Sequence, residues 1–302
     1  MSRLVAAVLA AVLVLTGCAG TSDRAGVVVT TNILGDVTRA VVGDQAEVTV
    51  LMQAGADPHS FGLSAQEAAL MEDAALLVHN GLGLEEGVAR NVETATHAGV
   101  PTIAAGEAAG PMTYVAGDAA GQPDPHFWTD PARMRRAVEA ITERVVADVP
   151  GVDAGVVRAN ADGYLAELDA LDTWMTQRFA ELPAERRKLV TNHHVFGYFA
   201  ARYGFEVVGA VVPSGTTLAS PSPSDLASLA GAIRDAGVNA IFADSSQPGR
   251  LARVLAEQAG VQVRVIPLFS ESLTAPGGGA ATYLDLMRSN TDAIVSGLTE
   301  NR

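Results

Sequence analysis

The chain has 302 residues, of which 48% are hydrophobic and 18% charged, and its formal net charge is −14. That length carries two compact lobes of ordinary size, and the composition is that of a folded globular protein. The acidic balance speaks against nucleic acid as a partner and suits the binding of a cation.

The first stretch does not belong to the fold. Arg3 supplies a positive n-region, Leu4 to Leu15 is an apolar h-region, and Leu15-Thr16-Gly17-Cys18 follows. This pattern reads as a secretory signal over residues 1–17, with an apolar run short of the ~20 residues that a transmembrane helix needs. The small residues before Cys18 resemble the lipobox of bacterial lipoproteins. That resemblance implies cleavage before Cys18, a lipid on its sulfur, and anchoring to the outer face of the cytoplasmic membrane. Cys18 is the only cysteine, so no internal disulfide is available. Residues 18–25 read as a polar tether.

Short β-branched runs then alternate with helical patterns over residues 26–150. Val27–Thr31, Ala46–Met52, Ala75–His79 and Pro101–Ala104 read as strands, and Ile33–Val42, Ala65–Asp73 and Leu84–Thr96 as helices. This rhythm predicts βαβ units and a mainly parallel sheet. Ser64-Ala65-Gln66-Glu67 is a capping box, and Asp130-Pro131 an N-cap with an N1 proline for a helix over Ala132–Val149. Residues 151–184 read as one long connecting helix. Its apolar residues Val157, Tyr164, Leu168, Leu171, Trp174, Met175 and Phe179 recur at helical spacings. Residues 185–302 repeat the first pattern. Strands fall at Lys188–Thr191, Phe205–Val212, Ala240–Ala243 and Gln262–Pro267, and helices at Val195–Tyr203, Ser224–Ala236, Gly249–Ala259 and Ala281–Leu298. Pro213–Pro223, rich in Pro, Ser, Gly and Thr, reads as an exposed loop, as does Gly277-Gly278-Gly279.

The histidines follow this topology. His59 lies in "GADPHSFGLS", His126 in "PDPHFWTDP", and His193 and His194 follow the strand Lys188–Thr191. Ligands of open α/β sheets bind beyond the carboxyl ends of the strands, so these loops can share one site. Any one of these histidines alone reads as a capped or surface residue. Several at equivalent positions, with no Gly-x-Ser-x-Gly, phosphate loop or dinucleotide fingerprint beside them, point to a metal. A carboxylate stands at another strand end, Glu271 in "LFSESL". Asp57 and Asp124 precede prolines and read equally as turn residues or as partners behind the histidines. His79 ends a strand and has at most a lesser role, and His97 sits at a helix C-terminus as a structural cation. Phe127 and Trp128 read as walls of the cleft.

At this point the chain resembles the substrate-binding lipoproteins of bacterial zinc and manganese ABC transporters, the cluster 9 solute-binding proteins. The resemblance runs through "ADPHSFGLS", "NGLGLE", "DPHFWTDP", "HHVFGYFAARYGF", "IFADSS" and "LFSESL" in order. It implies two α/β lobes with mainly parallel sheets, joined by one long rigid helix, with a metal site in the cleft between them. It implies His59, His126, His193 and Glu271 as ligands. His194 then occupies a position usually held by aspartate, and Glu271 one that is also usually aspartate. Manganese relatives tend to carry glutamate where His193 stands, so zinc is the expected metal and manganese the alternative. The His-rich loop of many zinc relatives is missing, since Gly106–Gln122 holds no histidine. The implied protein is a monomeric receptor, not an enzyme, working with a membrane permease and its ATPase. A secreted metallohydrolase and a surface adhesin are the rival readings from other classes.

Overall fold

A computed structural model of the chain describes residues 26–115, 117–246, 250–259 and 263–299. The signal, the tether and Cys18 lie outside the described residues. The first lobe runs β1 (Val27–Val29), α1 (Asn32–Val42), β2 (Val48–Val50), α2 (Ala65–Glu72), β3 (Leu76–His79), α3 (Ala89–His97), β4 (Thr102–Ala104) and a short α4 (Ala105–Ala108). A two-stranded hairpin follows, β5 (Met112–Thr113) and β6 (Pro123–Asp124), and then α5 (Pro131–Asp148). The long helix is α6 (Ala154–Ala180). The second lobe runs β7 (Lys188–Thr191), α7 (Gly197–Tyr203), β8 (Glu206–Ala210), α8 (Pro223–Ala236), β9 (Ala240–Asp244), α9 (Arg250–Ala259), β10 (Arg264–Leu268) and α10 (Tyr283–Thr299).

Both main sheets are four-stranded and parallel, in the orders β2-β1-β3-β4 and β10-β9-β7-β8. Read from its own first strand, each lobe has the same order: second, first, third, fourth. The direction of winding therefore reverses between β1 and β3 and again between β7 and β9, which is where such sheets open a ligand crevice. The strands are short and β-branched because both faces are covered by helices.

Local signals set the helix ends. Ser64 and Ser222 each form a full capping box, with Glu67 and Asp225. Asp130 caps α5 ahead of Pro131, and Asp153 caps α6. Helix α6 buries Val157, Tyr164, Leu168, Leu171, Met175 and Phe179, while Trp174 is half-buried with the Arg288 guanidinium 5.1 Å above its ring. One continuous hydrophobic core contains residues of α1, α5, α6 and α10 together with strands of both sheets. Smaller clusters lie on the outer faces, under α2–α3 and under α8–α9.

Three of the differences from the sequence expectation bear on the site. The hairpin β5–β6 was unpredicted, because its two-residue strands carry no periodic signal. Helix α3 begins at Ala89 rather than Leu84, since Gly81, Leu82 and Gly83 all take positive φ and hold the preceding segment as turns. The Pro213–Thr217 part of the predicted exposed loop is half-buried, because it lies against the hairpin and the His59 loop.

Candidate metal centre

The carboxyl ends of both sheets converge on His59, His126, His193 and Glu271, whose ligand atoms all lie within 4.8 Å of one another. His59 arrives on the loop after β2, and His126 on the turn after β6. His193 follows β7 and Glu271 follows β10. Each is at most 1% exposed. His193 Nε2 is 3.4 Å from His126 Nε2 and 3.2 Å from Glu271 Oε1. Glu271 Oε1 is also 3.6 Å from His126 Nε2, and Glu271 Oε2 is 3.6 Å from His59 Nε2.

The two Asp-Pro-His motifs use one device. The aspartate two residues back accepts the histidine backbone N–H, Asp57 Oδ1 from His59 at 2.9 Å and Asp124 Oδ1 from His126 at 3.0 Å. This local turn, stiffened by the intervening proline, fixes the direction of each imidazole. Asp124 Oδ1 also takes the His126 Nδ1–H at 2.8 Å, which leaves the Nε2 lone pair facing the cluster. Gly197 is required behind it, because a Cβ there would stand 2.8 Å from Asp124 Oδ2. Asp57 Oδ2 accepts from Ser60 Oγ and, at 2.6 Å, from Thr217 Oγ1.

Burial dominates the electrostatics. It lowers the His59 pKa to about 4 and that of His126 to about 3, with the Glu271 charge opposing both shifts. It lowers His193 as well. The same burial raises the Glu271 carboxyl and, more weakly opposed by hydrogen bonding from His126, raises Asp124 to about 7. At neutral pH the three imidazoles are therefore neutral, with lone pairs free to donate. Among the described residues, His59 Nδ1 and Nε2, His193 Nδ1 and both Glu271 oxygens are buried without a hydrogen-bond partner. Buried polar atoms are ordinarily paired, so such a concentration calls for a ligand.

The remaining sequence candidates fall outside this cluster. His194 turns away from it and, with Tyr114 and Asp124, lines a cavity of about 310 Å³ whose other walls include Phe196 and Phe205. His79 is half-buried at the end of β3, where Glu85 and Glu107 face it. Trp128 does form a wall, its ring 5.2 Å from that of His126. Three further residues escaped the sequence reading. Tyr114 Oη lies 3.2 Å from His126 Nδ1 and donates to the Gly215 carbonyl. Asp244, at the end of β9, is 3% exposed, accepts from Ser246 and Ser270, and is raised to about 6 by burial and Glu271. Asn32 joins the first turn of α1 to Ser272 and Leu273. Only Asp244, in the "IFADSS" motif at a strand end, had a visible signal.

Comparison with known proteins identifies the family and the fold. The family sequence profile described as zinc-uptake complex component A, periplasmic, matches residues 27–297. The zinc-binding protein TroA of Treponema pallidum is 30% identical over 276 residues, covering 90% of this chain and 88% of that protein. The manganese-binding lipoprotein MntA of Halalkalibacterium halodurans is 28% identical over 285 residues, covering 94% and 92%. The solved structure of the periplasmic zinc-binding protein TroA superimposes with a TM-score of 0.83 and 29% identity, over 91% of this chain and 99% of that one.

Proposed function

The chain belongs to the zinc-uptake complex component A family, and from that premise we propose that it captures zinc outside the cytoplasmic membrane and delivers it to the permease of an ABC importer. Substrate-binding proteins of this kind work with a membrane permease and its ATPase. His59, His126, His193 and Glu271 are the ligands in this reading. The observation that carries it is the set of buried, unpartnered donor atoms facing one another. Zinc–nitrogen bonds of about 2.0–2.1 Å in a tetrahedron separate neighbouring donors by roughly 3.3 Å. The contacts of 3.2, 3.4 and 3.6 Å in the cluster are close to that edge. Three imidazoles and one carboxylate suit zinc. Manganese is the second reading, favoured by the way both Glu271 oxygens face the histidines.

Four protein donors leave no open position for a reacting water, unlike catalytic zinc sites. The protein in this reading is a carrier and not a hydrolase. No described helix is long and apolar enough to cross a membrane. Attachment falls to the lipid on Cys18, with a monomeric receptor held at the outer face of the cytoplasmic membrane. Metal analysis of protein purified without added metal, followed by chelator competition, tests the cargo. Zinc at one equivalent is expected, and preference for manganese over equimolar zinc would overturn the assignment. Cys18→Ser is expected to move the protein out of the membrane fraction of its native host, and an unchanged distribution would remove the anchor.

A further inference from the structure

Glu271 is the one carboxylate among the four ligand candidates, and its side chain makes no hydrogen bond. Both oxygens are buried without a partner, so the place of the carboxylate depends on the backbone to either side. Before it, the Ser270 carbonyl accepts the Trp128 Nε1–H at 2.9 Å, and Ser270 Oγ donates to Asp244. After it stands Asn32. The Asn32 Nδ2 group donates to Ser272 Oγ at 2.8 Å and to the Gln53 carbonyl at 3.1 Å. Its Oδ1 accepts the Leu273 N–H at 2.9 Å. Gly55 N–H adds a bond to Ser272 Oγ at 3.1 Å and one to the Leu273 carbonyl at 2.9 Å. Asn32 is 9% exposed and its amide is used at both ends. It opens α1 just past β1 in the first lobe, whereas Glu271 follows β10 in the second. A side chain of one lobe thus sets the position of a donor carried by the other.

We propose that Asn32 is the positioning residue for Glu271, and that by fixing the distance between this carboxylate and the three imidazoles it sets the preference of the site for a small ion. The inference rests on the metal-binding reading above. Zinc is held by few donors through short bonds, so it gains from a carboxylate that cannot retreat. Manganese favours more numerous oxygen donors, so it tolerates a carboxylate that backs away and admits water. Asn32 offers no atom of its own to the ion, because its amide is occupied. It acts only through the Ser272–Leu273 backbone.

The test is Asn32→Ala, with zinc and manganese dissociation constants measured by chelator competition beside the wild type. Zinc binding is expected to weaken about 10–100-fold, the usual effect of losing a partner behind a ligand, with manganese changing less than about threefold. The zinc-to-manganese preference therefore narrows. Cobalt(II) loaded in place of zinc is expected to show a weaker visible spectrum as four-coordinate geometry gives way. Ser272→Ala removes the hydroxyl that Asn32 and Gly55 share. It is expected to narrow the preference less, and it carries the test if Asn32→Ala does not fold. An unchanged zinc-to-manganese ratio in the folded variants overturns the inference, whatever happens to thermal stability or to either affinity alone. A wild-type protein that binds neither metal would instead remove the metal-binding reading, and this inference with it.

Discussion

Two segments of the second lobe cross to the first beside the histidine cluster, and they are held in opposite ways. Ser270–Leu273 is at most 5% exposed throughout and is clamped by Trp128, Asn32 and Gly55. Pro213–Thr217 is half-buried and touches the first lobe at three points. Asp118 N–H donates to the Pro213 carbonyl at 3.4 Å, Tyr114 Oη to that of Gly215 at 3.2 Å, and Thr217 Oγ1 to Asp57 at 2.6 Å. Within its own lobe it accepts the His194 N–H on the Ser214 carbonyl at 3.0 Å. This segment therefore reaches the loops of all three clustered histidines. Gly215 is required there, since a Cβ would stand 2.5 Å from Tyr114 Oη. Segments with little buried area and exposed hydrogen bonds open most readily. The cluster is sealed, so an ion passes only when something opens, and the loose crossing is the easier to open. In the proposed reading, the tight crossing fixes where the ion would sit.

The largest expected effect separates the adjacent histidines. His193 Nε2 faces the cluster, while His194 faces the cavity behind the loose crossing. His193→Ala is expected to weaken zinc binding well beyond the ~10–100-fold that follows loss of an outer partner, and His194→Ala to stay within that range. Competition titration of both variants decides it. Equal losses would mean that the wrong imidazole has been assigned.

The next effect is about tenfold and kinetic. Thr217→Val keeps the shape of the side chain and removes its bond to the Asp57 carboxylate. Hydrogen bonds to charged groups contribute about 1.5–3 kcal/mol, so an opening that breaks this one becomes at least about tenfold more frequent. Stopped-flow transfer of zinc to and from a chelator is expected to show both rates rising together, with the dissociation constant nearly unchanged. Disturbing the tight crossing moves the constant itself. A Thr217→Val protein that loses affinity without faster exchange would erase the distinction between the two crossings.

The sequence carried the elements further than it carried these crossings. Alternating strands and helices, the Ser64 capping box and the stripe on α6 follow from local sequence signals, and the structure has them, with α3 starting later than expected. The Asp-Pro-His turns were legible because aspartate, proline and histidine are adjacent in the chain. Asn32 and Ser272 were not, because a bond between residues 240 positions apart leaves no local trace. Pro213–Thr217 read as exposed from its composition, and the unpredicted hairpin and the His59 loop against which it lies make it otherwise. Tyr114 escaped for the same reason.

A smaller effect concerns protons. From free imidazoles near pH 6.5, zinc affinity would fall between pH 7 and 5 because histidines charge. Burial moves His59 to about 4 and His126 to about 3, so they do not compete for protons in that range. Asp124, raised by burial to about 7, does. A group with a raised pKa in the free site binds a proton below that value. Affinity is therefore full above it and is lost as pH falls through it, by up to about tenfold per pH unit for each proton taken up. Asp124→Asn is expected to flatten the profile near pH 7, with fewer protons released per zinc in calorimetry across buffers of different ionisation enthalpy. An unchanged proton count would return the dependence to the histidines.

The smallest expected change is one of overall shape. Helix α6 contributes to a core that contains residues from both lobes. Cross-lobe bonds reinforce it, from Tyr283 Oη to the Trp128 carbonyl at 2.7 Å and from the Tyr283 N–H to Asp36 at 2.8 Å. The tight crossing adds the Asn32 and Trp128 clamps. Swinging the lobes apart would expose this shared core, whereas releasing Pro213–Thr217 breaks only a few half-exposed hydrogen bonds. Metal binding is therefore expected to leave the radius of gyration unchanged by solution scattering. It should slow amide exchange in the loose crossing far more than in Ser270–Leu273, whose protection already comes from the clamp. A metal-dependent contraction of the whole molecule, or equal gains in protection in the two segments, would show that the lobes close as bodies and that neither crossing is the fixed one.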